Sequence, residues 1–136
     1  YKAHWLDESD APLVPFGYGL SYTRFALEAL EVPARVGAGD LVVRLRVRNL
    51  GARDGDEVPQ VYLRPRVAST VTGKKLAGYR RVHVQAGKSV PVIIRIPANQ
   101  LTVLDRENRW VRSPGVWEVV VGTDSASGLT STFIVD

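Results

Sequence analysis

Leu41-Val-Val-Arg-Leu-Arg-Val-Arg48 decides the fold class. From Val43 onward the stretch alternates strictly. Val43, Leu45 and Val47 share one face and Arg44, Arg46 and Arg48 the other, which is the period of two that a half-buried strand requires. Working outward, Phe25 to Val32, Val58 to Leu63, Leu76 to Val84, Val90 to Ile96, Trp117 to Val121 and Thr130 to Val135 are further strand candidates. Turn signals fall between them at Gly37-Ala-Gly-Asp40, Arg53-Asp-Gly-Asp56, Ala86-Gly87 and Pro114-Gly115. Short strands at this spacing predict an all-β fold, a two-sheet antiparallel β-sandwich. Asn99 to Leu104 is the one stretch expected to make a helical turn, with Asn99 as its cap. Trp117, following Pro114-Gly115, is expected in the core, where its indole N–H needs an acceptor.

The 136 residues suit one domain with a single sandwich core and leave no room for a second large domain. No run of eighteen apolar residues is present, so no membrane span is expected. The absence of cysteine rules out a disulfide framework and thiolate metal sites, and leaves the compartment open. No amino-terminal signal peptide is visible. The chain opens at Tyr1 in the polar stretch Trp5-Leu-Asp-Glu-Ser-Asp10, and is expected to be a fragment. The net charge is +4, with fourteen of the eighteen cations arginine. Such a balance raises binding to phosphate backbones. Interspersed acids and the outward register of Arg44, Arg46 and Arg48 favour a solvated basic face instead, and no nucleic-acid partner is expected.

Two segments do not fit a minimal sandwich. The first holds Pro12-Leu-Val-Pro-Phe-Gly-Tyr-Gly-Leu-Ser-Tyr-Thr-Arg-Phe25. It is too aromatic for an ordinary loop and too rich in Gly and Pro for a helix or central strand. Phe16, Tyr18, Leu20 and Tyr22 need a surface to bury against, and Gly17 and Gly19 permit close backbone approach. Residues 1–23 therefore read as an extended docking arm and residues 24–136 as the sandwich. The second segment, Arg64 to Lys75, carries Arg64, Arg66, Lys74 and Lys75 with no acid and is expected to project positive charge. Long loops on a rigid scaffold are where partners are usually contacted.

The arm resembles the PLFPFGYGLSYTxF signature that opens the C-terminal fibronectin type III-like domain of glycoside hydrolase family 3 enzymes, the β-glucosidases and β-xylosidases. Four further stretches resemble that domain in order. Gly55-Asp-Glu-Val-Pro-Gln-Val-Tyr-Leu63 is similar to GDEVVQLYV, and Lys75-Leu-Ala-Gly-Tyr-Arg-Arg-Val82 to KELKGFxRV. Ala86-Gly-Lys-Ser89 stands where PGES is usual, and Ser113-Pro-Gly-Val-Trp-Glu-Val-Val-Val-Gly122 is similar to PGxYEVxVG. The resemblance covers about Pro12 to Val135. It implies a fibronectin type III/immunoglobulin-like sandwich attached to catalytic domains of the same polypeptide, in an exported enzyme, secreted or periplasmic. It also implies that the catalytic aspartate nucleophile and the general acid lie in those other domains, so no catalytic residue is carried over.

Glycoside hydrolysis by the chain alone would need two carboxylates about 5–10 Å apart. The acidic clusters, Asp54/Asp56/Glu57 and Asp105/Glu107, read as turn and connection residues. Asp54-x-Asp56 is a poor calcium loop, because the twelfth position is Pro65. His4 and His83 do not form a ligand pair by spacing, no phosphate-binding glycine loop is present, and no metal or cofactor is expected. No serine has a positioned base. The expected role is a non-catalytic accessory domain that orients the catalytic domains, with the Arg64–Lys75 loop near the parent's active site. The alternative is a carbohydrate-binding module contacting polysaccharide through Trp5 and Trp110. For Trp110 the family's KWV-like segment implies partial core packing; for Trp5, contact with the missing domain.

Overall fold

The computed structural model describes residues 13–66 and 73–136. They form an all-β sandwich. Strands β1 (Phe25–Glu31), β3 (Leu41–Asn49) and β8 (Ser89–Ile96) make one antiparallel sheet in the order β1-β3-β8. The facing sheet has the order β2-β12-β11-β5-β6, from β2 (Arg35–Val36), β12 (Leu129–Val135), β11 (Gly115–Gly122), β5 (Gln60–Pro65) and β6 (Lys75–Tyr79). The short β2 runs parallel to β12, and every other pair is antiparallel.

The period-two reading of β3 holds residue by residue. Leu41, Val43, Leu45 and Val47 are buried, and Arg44, Arg46 and Arg48 are exposed. The register pairs Val43 with Ile94 and Leu45 with Val92 on β8, so both strands send their aliphatic face inward. From the opposite sheet Val61 and Leu63, Trp117, Val119 and Val121, and Phe133 and Val135 complete one contiguous core. Trp117 lies within it, and its indole N–H donates to Ser113 O at 2.8 Å.

Two small ribbons lie beside the sheets, and both correct the sequence reading. Leu76 to Val84 is not one strand. The chain leaves β6 at Tyr79, Arg80 N–H donates to Pro59 O, and β7 (Val82–Val84) pairs instead with β4 (Gly55–Glu57). Alternation continues through such a change of partner, so it gives no warning of it. Arg53 to Asp56 is accordingly only in part a turn. Asn99 to Leu104 is not a capped helical turn either. A 3₁₀ turn covers Ala98–Gln100 with Pro97 at its N-cap and no side-chain cap. Leu101 then anchors in the core, and β9 (Thr102–Leu104) pairs with β10 (Trp110–Arg112). Asp105 closes this hairpin by accepting the N–H groups of Glu107 and Arg109, both at 2.9 Å.

Candidate functional site

The arm from Leu13 to Arg24 contains no strand, yet its backbone is fixed at several points. A turn is closed by Tyr18 N–H donating to Pro15 O. Phe16 O accepts from Ser125 N–H at 2.8 Å. Gly17, at φ +83, presses on Gln60, so that an added Cβ would lie 2.4 Å from the amide oxygen. Only glycine meets both conditions. Gln60 is buried and braced from behind. Its Nε2 donates to Thr123 O at 2.9 Å, and its Oε1 accepts from the Tyr62 hydroxyl.

The second anchor is Asn49, the last inward position of β3. It is fully buried and uses its whole amide. Oδ1 accepts from Thr23 Oγ1 at 2.7 Å and Gly51 N–H at 3.0 Å, while Nδ2 donates to Arg53 O at 2.7 Å and Val84 O at 2.9 Å. Leu50 N–H donates to Arg24 O beside it. Asn49 thus ties the end of the arm to β3 and β7 together.

Between these anchors the apolar side chains lie bare. Phe16 is 68% exposed, Tyr18 55%, Leu20 94% and Tyr22 95%. A soluble surface rarely carries so contiguous an apolar strip without a partner. A cleft of about 240 Å³ is lined by Gly17 to Ser21 of the arm and by Asp56, Glu57 and Asp124. Hydrogen bonds from His83 (Nδ1 at 2.6 Å) and Arg81 (Nε at 2.8 Å) hold the Asp56 carboxyl below the usual range. Burial pushes Glu57 up, against the Val58 N–H that it accepts at 2.8 Å.

The cations of the second segment do not simply project into solvent. Arg64 Nη2 lies 2.9 Å and Arg66 Nε 3.5 Å from the carboxylate of Glu118, which is buried on β11. Lys74 Nζ donates to Ser125 O at 2.8 Å, beside the Phe16 anchor. Lys75 Nζ donates to Thr102 O at 3.3 Å and sits 5.4 Å from the centroid of the Trp110 ring. Burial lowers the Lys75 pKa. Glu118 and backbone carbonyls thus hold these heads at the sandwich surface, where Arg64, Arg66 and Lys74 remain exposed. Trp110 departs from the expected partial core packing: on the edge ribbon it is 66% exposed. Trp5 and His4 lie outside the described residues.

The acidic clusters serve structural bonds. Asp54 accepts from Ala86 N–H at 2.8 Å, not from its own turn as expected, because β4 leads straight into the ribbon. Asp105 is lowered chiefly by the Arg109 N–H and pairs with that guanidinium at 3.0 Å. Among the described residues no group of three or more His, Asp or Glu could hold a metal ion, and no helix is long and apolar enough to cross a membrane. Sequence reasoning missed Asn49, Gln60 and Glu118. Asn49 was discoverable, since a polar residue in the inward register of β3 needs partners.

Residues 57–125 match the fibronectin type III-like domain family. A periplasmic beta-glucosidase of Salmonella typhimurium is 33% identical over 129 residues, covering 93% of this chain and 17% of that protein. A xylan 1,4-beta-xylosidase of Xylanibacter ruminicola is 34% identical, over 85% of this chain and 14% of that protein. Among solved structures, a beta-glucosidase from Listeria innocua in complex with isofagomine superposes with a TM-score of 0.88 at 32% identity, covering 99% of this chain and 19% of that one. The chain therefore spans less than a fifth of each of these relatives.

Proposed function

We propose, from the premise that this chain belongs to the fibronectin type III-like domain family, that it is a non-catalytic accessory domain of a family 3 β-glycosidase, stabilising and orienting the catalytic domains of the same polypeptide. The observation that carries this reading is the arm, whose backbone is pinned by Gln60, Ser125 and Asn49 while Phe16, Tyr18, Leu20 and Tyr22 face outward. Ordering a backbone and leaving its aromatics in water makes sense when a second surface covers them, because burying such side chains is the main favourable term in association. We assign residues 1–23 to the docking arm, 24–136 to the sandwich, and the segment from Arg64 to Lys75 to the neighbourhood of the parent's active site.

The parent's reaction is hydrolysis of β-glycosides, as a β-glucosidase or β-xylosidase. The names of the relatives support this, and the periplasmic relative supports an exported, secreted or periplasmic, location. The chemistry belongs to the parent's other domains. Asp56 and Asp105, held ionised against Arg81, His83 and Arg109, are poorly suited to donate a proton to a leaving group. The purified chain is expected to leave aryl β-glucosides and β-xylosides intact. Turnover that survives repurification and disappears in Asp54→Asn or Asp105→Asn contradicts the accessory role.

A further inference from the structure

Away from the arm, an open cleft of about 450 Å³ is lined by Lys75, Asn99, Gln100, Thr102 and Trp110. None of the described arm residues lines it. One wall is the exposed indole of Trp110 on β10, and the other is the 3₁₀ turn that carries the Asn99 and Gln100 amides. Lys75 holds its Nζ over the indole, 5.4 Å from the ring centroid, spending one ammonium proton on Thr102 O and keeping two donors. We propose that these residues form a binding subsite for a neutral β-linked oligosaccharide.

The chemistry selects that ligand class. An equatorially substituted pyranose is apolar on its two faces and polar around its rim. The exposed part of the indole, beyond the Lys75 ammonium, suits the C–H face of the ring. The two amides offer both donors and acceptors, and Lys75 adds donors, for the rim hydroxyls. Among the described residues the lining contains no carboxylate to hold a cation. Its single ammonium is already engaged by a carbonyl and a π face, so it does not demand an anion. The volume is in the range of small-ligand sites, about 300–1,000 Å³. Local order supports a built wall. Leu101 is buried in the core directly after the 3₁₀ turn, and Asp40 Oδ1 accepts from Ala98 N–H at its start. Asn99 and Gln100 are therefore presented from a fixed backbone.

The inference does not depend on the docking role of the arm, and its test reads different residues. The ¹⁵N-labelled 136-residue chain is titrated with cellohexaose and, separately, xylohexaose, following the three tryptophan indole signals and the side-chain amides by NMR. The Trp110 indole and the Asn99 and Gln100 amides are expected to shift together, with a dissociation constant on the order of 1 mM for a single stacked ring. Trp110→Ala is expected to weaken binding at least about 10-fold. Trp110→Tyr and Trp5→Ala should retain it, and since Trp110 is exposed the variants' backbone spectra should match the parent chain's. Absence of shifts with both sugars, or shifts that persist in Trp110→Ala, overturns the proposal. A shift with only one of the two sugars upholds the subsite and names its preference.

Discussion

Tyr22→Ala is expected to behave as two different mutations depending on what surrounds the chain. In the 136-residue chain alone, where Tyr22 is 95% exposed, truncation removes almost no contact, and stability should stay within about 0.5 kcal/mol. In the full-length parent the same change should cost on the order of 3–5 kcal/mol if the ring is fully packed between domains. The loss appears as a lower melting temperature and faster proteolysis between domains. Turnover by the surviving folded fraction should stay near the parent value, because on the proposed role the chemistry lies in the parent's other domains. Tyr18→Ala should follow with a smaller contrast, since Tyr18 is already nearly half covered within the chain. Thermal unfolding of both variants in both contexts checks this. Equal, small effects in the two contexts would mean that the arm has no cover.

Asn49→Ala is expected to be the most damaging polar substitution within the chain itself. The amide satisfies Thr23, Gly51, Arg53 and Val84 at once, and is fully buried. Truncation takes the Nδ2 donor from the buried Val84 carbonyl, at about 1–3 kcal/mol. Water can reach the other three partners at lower cost. The total should be about 3 kcal/mol, lowering the melting temperature by on the order of 10 °C for a domain of this size. Asn49→Asp should also destabilise, since it keeps the acceptor for Thr23 and Gly51 but loses both donors. The Leu50 amide, bonded to Arg24 O, should exchange faster with solvent in both variants as the end of the arm loosens. A loss below about 1 kcal/mol for Asn49→Ala would show that the four bonds are replaceable by water.

The sandwich was legible wherever one face of a strand was buried and the other wet. In β3 the alternation of aliphatic residues with Arg44, Arg46 and Arg48 states the inward face directly, and β8 repeats it with Val92, Ile94 and Ile96. Legibility fails where pairing partners change without a change of pattern. Leu76 to Val84 reads as one strand because the switch from β5 to β4 happens across two arginines that suit either environment. Thr102 to Leu104 is too short to reveal a period, so its strand came from pairing with Trp110 to Arg112. The arm's aromatics and glycines stand out as anomalies in the sequence itself. The polar anchors were harder: Gln60 sits in a run buried on both faces, where alternation vanishes. Likewise the charge of Arg64 and Arg66 could not reveal that a buried Glu118 on β11, distant in sequence but paired with β5 in the sheet, would hold them.

The most direct measurement of the docking claim is hydroxyl-radical footprinting of Phe16, Tyr18, Leu20 and Tyr22 in the isolated chain and in the intact parent. In the chain alone all four should be oxidised readily, as their exposure requires. In the parent, the expected result is strong protection of all four, with Trp110 still reactive. Equal reactivity of the four arm residues in both contexts would contradict the proposal that this domain holds its neighbours through the arm.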